Sequence, residues 1–218
     1  MRLDDYAEKD GKRVWLTEEE IGRLVDVYED PEKRVALMLA GRAGLRRSEI
    51  VSVQKKDFEM APGGFVRVWG DYTKRDKYRE APIPDELNHV VSALTHGYSD
   101  DDEVVDASGT TVYRWVRRAA EELQEGTGDE GWGYLDVHDL RRSWGGHLLW
   151  DCGALPTVVM EFGGWTDWET FAEHYMGEIT PQAQQREREK VFGGREGEAE
   201  SETFSPRTSA IGEAYGGR

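Results

Sequence analysis

His138-Asp139-Leu140-Arg141-Arg142 is the stretch of this 218-residue chain that best predicts its fold and its chemistry. His138 and Arg141 are three residues apart, so a helix places both side chains on one face. Arginine stays charged, and its planar guanidinium can bind two oxygens at once. Histidine can donate a hydrogen bond or assist a proton transfer near neutral pH. The stretch therefore predicts a helix that presents phosphate-binding groups.

A second arginine motif lies upstream, in Ala43-Gly44-Leu45-Arg46-Arg47-Ser48-Glu49. Gly44 permits a tight turn, which puts Arg46 at the start of a short helix. Arg46 and Glu49 are three residues apart, which by itself is typical of a routine helical ion pair. The functional interpretation is that Glu49 or Ser48 braces the turn while Arg46 points at a phosphate.

Two more arginines, Arg47 and Arg142, each follow a motif arginine directly. Neighbouring side chains on a helix point about 100° apart. We therefore expect these two residues to be backbone-contacting or surface arginines, outside the centre of the site.

Tyr175 is a candidate nucleophile, and it follows the turn Gly163-Gly164-Trp165. A phenol has a pKa near 10 and attacks phosphorus only with help. Clustered guanidinium groups give that help because they favour the phenolate. The chain has nine tyrosines, and the alternative for Tyr175 is a half-buried aromatic residue of a helix.

The order of six residues resembles the catalytic set of the tyrosine recombinase (phage integrase) family: Arg46, Lys74, His138, Arg141, Trp165 and Tyr175. The resemblance covers roughly residues 15–192. In that family the first arginine lies in Gly-Leu-Arg-x-Ser-Glu and the second in His-x-Leu-Arg, and both motifs are present here. Many members carry Gly-His where this chain has Gly164-Trp165, whereas Cre-like recombinases also carry tryptophan.

The resemblance implies a role for each residue. Tyr175 would attack a DNA phosphodiester, and Lys74 would protonate the departing 5′ oxygen. Lys77 is the rival of Lys74, and the alternative for this basic hairpin tip is a solvated, charged turn. The phosphate would be held by four side chains, those of Arg46, His138, Arg141 and Trp165.

The implied function is that of a site-specific recombinase or integrase, which cleaves and rejoins double-stranded DNA through a 3′-phosphotyrosyl intermediate. Four protomers would act on two DNA sites, with a monomer in isolation, and no cofactor or metal is expected. Two alternatives stay open: a type IB topoisomerase-like nicking and resealing enzyme, and a catalytically idle DNA-binding or recombination-regulating module. Integration, including that of a viral genome, excision and dimer resolution are equally compatible with the residues.

The charge of the chain opposes this interpretation at first sight. There are 44 acidic and 28 basic residues, and the formal charge of −16 disfavours contact with a polyanion. The acidic residues are spread over nearly every surface segment. We interpret this as the surface of a protein that works in concentrated salt, similar to haloarchaeal XerC/XerD-like integrases. The alternative is an ordinary acidic cytosolic protein.

The predicted fold is mainly α with a small antiparallel β-sheet (α+β). Thr17 and Glu20 form a capping box that begins the first helix, and the sheet pairs a strand at 65–69 with one at 80–83. Further helices are predicted at 31–41, from Asp85, at 108–125, 137–151 and 155–162, around Tyr175, and at 181–192. The domains are a polar N-terminal segment or linker remnant at 1–16, a catalytic domain at 17–192 and a disordered acidic, Gly-rich tail at 193–218.

The remaining signals concern the compartment. Cys152 is the single cysteine, which fits a reducing compartment and excludes a Cys-rich zinc site. No apolar run suits a signal peptide or a membrane helix, so we expect a cytoplasmic, nucleoid-associated protein. Family members usually carry an N-terminal domain that clamps DNA, and residues 1–16 are too short for it. The chain is then a catalytic fragment or a minimal enzyme.

Overall fold

The computed structural model describes residues 1–6, 10–70, 78–175 and 181–192. The chain divides into two compact units, residues 1–179 and 180–218. Lys74, Lys77 and the predicted tail at 193–218 lie outside the described residues. Among the described helices, none has the length and hydrophobicity needed to cross a membrane.

The first unit is mainly helical, as predicted, and the second contributes one described helix. Two helical segments are short 3₁₀ turns, at Lys55–Asp57 and Glu130–Tyr134. The strands are β1 (Arg2–Asp5), β2 (Lys12–Trp15), β3 (Phe65–Val68) and β4 (Arg79–Pro82). The helices are α1 (Glu18–Asp26), α2 (Pro31–Arg42), α3 (Arg47–Ile50), α4 (Asp85–Leu94), α5 (Gly109–Thr127), α6 (Val137–Gly146), α7 (Pro156–Gly163), α8 (Trp168–Tyr175) and α9 (Pro181–Phe192).

Local sequence signals set most helix ends. The side chain of Thr17 accepts a hydrogen bond from the backbone of Glu20, and the predicted capping box begins α1. Pro156 occupies the first turn of α7, and Gly164 ends that helix in a left-handed conformation with a φ of 68°. The predicted helix at 137–151 is interrupted, because α6 ends at Gly146 and a π-helical turn follows at His147–Asp151.

The predicted antiparallel pair of strands is confirmed, with Phe65 opposite Pro82 and Val68 opposite Arg79. A second antiparallel pair, β1–β2, was not predicted, because the polar residues of this segment hide its alternation. Among residues 1–6 and 10–16, which the structure describes, Val14 and Leu16 are the buried hydrophobic residues. Met1 and Trp15, which are partly buried, also pack against buried clusters, and these four side chains attach the segment to the helical domain.

Helix α2 runs through the centre of the main core, where its residues from Val35 to Ala40 are fully buried. It contacts α1, α4, α5 and α6. A smaller cluster contains Leu149, Val159, Phe171 and Tyr175. Phe171 is fully buried in this cluster, whereas Trp168, the first residue of α8, is 48% exposed.

Gly44 lies in the turn between α2, which is part of the core, and Arg46. Its φ is +64°, and a Cβ atom there would lie 2.2 Å from the Trp144 ring on α6. Its carbonyl oxygen also accepts a hydrogen bond from Arg141. A side chain at this position would therefore meet both backbone strain and a steric clash.

We expect Gly44→Ala to destabilise the protein far more than Gly63→Ala. Both glycines have a positive φ, but a Cβ at Gly63 would meet nothing within 4 Å. Gly63→Ala should cost about 1 kcal/mol for the left-handed conformation, and Gly44→Ala about 2 kcal/mol more, from overpacking against Trp144. Urea unfolding of the two variants measures this difference, and equal losses would show that the turn at Gly44 is not packed this closely against Trp144 of α6.

Candidate active site

Arg46 stands at the N-terminal end of α3, where Gly44 turns the chain. Its guanidinium donates to Glu49 Oε1 at 2.7 Å, and its backbone N–H donates to Glu49 Oε2 at 2.7 Å. Glu49 thus braces the turn, as predicted. The Arg46 side chain is still 32% exposed, so part of its guanidinium can meet a ligand.

Glu49 is fully buried, and a second arginine, Arg79, holds it. Arg79 donates to both carboxylate oxygens, at 2.9 and 2.6 Å, and its Nε donates to the Phe162 carbonyl at 3.0 Å. Burial alone would raise the pKa of Glu49, but the hydrogen bonds and charge of Arg79, with the charges of Arg141 and Arg46, lower it to about 2. Glu49 is therefore an anion in the folded protein at neutral pH.

Arg79 is a residue of the site that the sequence motifs did not identify. The sequence held a signal, because Arg79 alternates with the apolar residues Ala81 and Ile83, and the structure buries all three, the first two on β4 and Ile83 directly after it. Alternation places every second residue on the same face of a strand. An arginine on the buried face needs an anion, and Glu49 supplies it.

Arg141 lies at the centre of the site and is 1% exposed. Its guanidinium donates to the carbonyl oxygens of Gly44 and, at 2.5 Å, of Gly163. It also lies 4.3 Å from the centre of the Trp165 ring. Burial, followed by the charge of Arg46, lowers the pKa of Arg141 to about 9, so it remains a cation at neutral pH.

His138, Arg46 and Arg141 line one pocket of about 470 Å³. Part of the His138 imidazole reaches solvent, but desolvation and the charges of Arg142 and Arg141 lower its pKa to about 4. The ring is therefore neutral at pH 7 and can both donate and accept a hydrogen bond. This pocket gathers three of the six predicted residues.

Arg142 is buried, and the prediction of a surface or backbone-contacting arginine at this position is wrong. It is 7% exposed and forms a buried ion pair with Asp139 one turn earlier. Asp139 also accepts a hydrogen bond from the Asp136 backbone. Helical spacing does turn Arg142 away from Arg141, but that direction leads under the β1–β2 hairpin, where its guanidinium lies 5.9 Å from the Trp15 ring.

Tyr175 is the last residue of α8 and is 4% exposed. Its ring lies 4.8 Å from that of Trp165 and stacks on Phe171, while its carbonyl accepts a hydrogen bond from Trp150 Nε1 at 3.0 Å. Burial raises the pKa of the Tyr175 phenol, and the charges of Arg141, Arg142 and Arg46 partly offset this rise. Trp165 thus lies against both the central arginine and the candidate nucleophile.

The remaining predictions have different outcomes. Lys74, the predicted acid, and its rival Lys77 lie outside the described residues. Trp165 packs on Arg141 instead of lining the pocket of Arg46 and His138. In the described part of the chain, no group of three or more His, Cys, Asp or Glu side chains could hold a metal ion.

A helical domain with two arginines and a histidine around one pocket, and a tyrosine on a later helix, has the features of the tyrosine recombinase class. A sequence model of the Phage integrase family matches residues 14–179, which is most of the chain. The chain therefore belongs to the phage integrase family. A comparison with curated protein sequences gives no match.

Solved structures share this fold. XerA recombinase has a TM-score of 0.64 at 17% identity, over 82% of this chain and 65% of that one. The Tn1549 transposon integrase, in complex with transposon right end DNA, has a TM-score of 0.64 at 15% identity, over 87% of this chain and 68% of that one. The catalytic domain of bacteriophage HP1 integrase has a TM-score of 0.56 at 21% identity, over 82% of this chain and 94% of that one. The chain thus spans about two thirds of XerA recombinase.

We expect the free energy of unfolding to fall when the pH is lowered through the range from about 4.5 to about 2, in part because of Glu49. Its pKa is about 2 in the folded protein and about 4.5 when unperturbed, so between these values only the unfolded chain binds the proton. The stabilisation is complete above pH 4.5 and is lost as the pH falls through the folded pKa. At 1.4 kcal/mol per pKa unit, it amounts to about 3 kcal/mol.

Glu49→Gln should lower stability at neutral pH by about 3–5 kcal/mol, because it leaves buried arginines without their anion, and should remove this part of the pH dependence. The matched control is Glu19→Gln, which breaks an exposed ion pair with Arg23 and should cost about 0–1 kcal/mol. Urea unfolding at a series of pH values measures both variants. An unchanged pH profile in Glu49→Gln would contradict the buried anion.

Proposed function

We propose that this protein is a site-specific DNA recombinase that cleaves and rejoins strands through a 3′-phosphotyrosyl intermediate. The observation that carries the proposal is the single pocket lined by Arg46, His138 and Arg141. Two guanidinium groups and a neutral imidazole form a set of donors suited to the non-bridging oxygens of a phosphodiester. Double-stranded DNA is the proposed partner, and the integrase of Tn1549 is a structural neighbour seen with DNA.

The cations of the pocket are preorganised before any DNA binds. Arg141 is fixed by two backbone carbonyls, and Arg46 is fixed by Glu49. Negative charge grows on the phosphoryl oxygens in the transition state, and donors that are already oriented stabilise it without reorganisation. Arg46 and Arg141 thus bind the phosphate, and His138 donates a further hydrogen bond or relays a proton.

In the proposed reaction, the Tyr175 oxygen attacks phosphorus and the bond to the 5′ oxygen breaks. Lys74, by resemblance to the family, protonates the departing 5′ oxygen. The phosphotyrosyl bond conserves the energy of the phosphodiester. A 5′ hydroxyl of a partner strand then attacks the same phosphorus, releases Tyr175 and completes strand exchange. Four protomers on two DNA sites would carry out the full exchange.

Tyr175 must move for this attack. Its ring is buried against Trp15, Trp165 and Phe171 and does not line the pocket of Arg46 and His138. The buried phenol also has a raised pKa, which opposes formation of the phenolate. Moving the end of α8 toward the pocket would relieve the burial and bring the phenol beside Arg46 and Arg141, whose charges favour its ionised form.

We expect wild-type protein to form a covalent adduct with nicked suicide duplexes, and Tyr175→Phe to form none, because only the phenol oxygen can make the phosphotyrosyl bond. A pool of duplexes with randomised sequence around the nick removes the need to know the target site. The reaction is run in concentrated KCl, which suits the proposed salt-adapted surface, and is analysed on a denaturing gel.

Tyr134→Phe is the matched control, because Tyr134 is exposed on the 3₁₀ turn before α6 and its loss should leave the adduct intact. An adduct that persists in Tyr175→Phe would assign the nucleophile elsewhere. If the folded wild type forms no adduct with any duplex, the idle DNA-binding module becomes the better hypothesis. Joining of two different duplexes distinguishes a recombinase from a topoisomerase.

A further inference from the structure

Arg47 is an arginine of the pocket that the proposed reaction does not use. It lines the same cavity as Arg46, His138 and Arg141. Its side chain is exposed, and its guanidinium forms no ion pair with any residue that the structure describes. In a chain with 44 acidic residues, an unpaired arginine beside the catalytic cations is a feature that needs an explanation.

The stem of Arg47 is held in place by the start of α5. A Cβ atom at Gly109, the first residue of that helix, would lie 3.3 Å from Arg47 Cγ and 3.5 Å from its Nε. The aliphatic part of the side chain therefore rests on Gly109, and the guanidinium is carried beyond it. This packing reduces the rotamer entropy that the arginine would lose on binding a ligand.

A second unpartnered donor lies beside it. The hydroxyl of Ser48 has no hydrogen-bond partner in the described part of the chain, and Ser48 lines the same pocket. The single acid of the pocket lining, Asp136, accepts a hydrogen bond from the backbone N–H of His138 at 3.0 Å and so caps α6. The lining therefore combines three arginines with one carboxylate and is locally cationic.

We propose that Arg47, with the hydroxyl of Ser48, forms a second phosphate subsite, which binds a DNA phosphate next to the one held by Arg46 and Arg141. Along each strand of a duplex a charge recurs every ~3.4 Å of helix axis, so a duplex seated on the pocket presents neighbouring phosphates to neighbouring residues. The subsite positions the DNA and takes no part in bond breaking. The inference rests on the proposed function, because it assumes a DNA substrate.

The test is a salt titration of DNA binding, with a labelled pool of random-sequence duplexes as the probe and fluorescence anisotropy as the readout. Arg47→Met keeps the stem on Gly109 but removes the charge. We expect it to weaken binding about tenfold and to lower the slope of log Kd against log[KCl] by about 0.9, the value for one phosphate contact. Arg47→Lys should restore the slope, and thermal unfolding should be unchanged in both.

Arg118→Met is the matched control, since Arg118 is an exposed arginine farther along α5. An equal effect of Arg118→Met would show a general loss of positive charge and would overturn the subsite. Wild-type affinity and slope in Arg47→Met would overturn it as well. Absence of any duplex binding by the folded wild type would overturn both the subsite and the DNA substrate.

The adduct assay separates this inference from the proposed function. If the slope of log Kd against log[KCl] is lower by about 0.9 in Arg47→Met while the wild type forms no adduct, the phosphate subsite is supported and the proposed strand cleavage is contradicted. If adducts form, sequencing the trapped strand locates the scissile phosphate. A methylphosphonate at a phosphate next to it should then weaken wild-type binding and leave Arg47→Met unaffected, and equal weakening of both proteins would contradict the assignment.

Discussion

The carboxylate of Glu49 is fully buried and receives hydrogen bonds from Arg46 and from both terminal nitrogens of Arg79. Removing several like charges from water is costly unless an anion is buried with them. Glu49 provides that anion and joins the start of α3 to the start of β4. Glu49 accepts hydrogen bonds from both the guanidinium and the backbone N–H of Arg46, and these contacts fix the position of the exposed part of that guanidinium.

Arg141 connects segments that are far apart in the chain. Gly44 lies 97 residues before it and Gly163 lies 22 residues after it, and both carbonyl oxygens accept hydrogen bonds from its guanidinium. The same side chain lies on Trp165, which in turn contacts Tyr175. Through Trp165, one buried cation thus connects the proposed phosphate pocket with the helix that carries the candidate nucleophile.

The acidic chain and the cationic pocket are compatible because charge acts locally. The formal charge is −16, yet three of the residues that line the pocket are arginines. Salt screens the distant acidic residues over a Debye length of about 8–10 Å or less, whereas a bound phosphate would touch the arginines directly. In concentrated salt, affinity would then depend on these direct contacts more than on counterion release.

The sequence by itself determined the helical class, the capped helix starts, the β3–β4 pair, and the placement of Arg46 at a helix start and of His138 and Arg141 on one helix, because each depends on residues close by in the chain. Only the tertiary structure decided that Arg79 and Arg46 both bind the carboxylate of Glu49. It also decided that Arg142 forms a buried ion pair with Asp139 and that Tyr175 packs against aromatic rings. Burial depends on what packs against a residue from distant segments. Local periodicity gives the face on which a side chain lies, but not the partner that covers it.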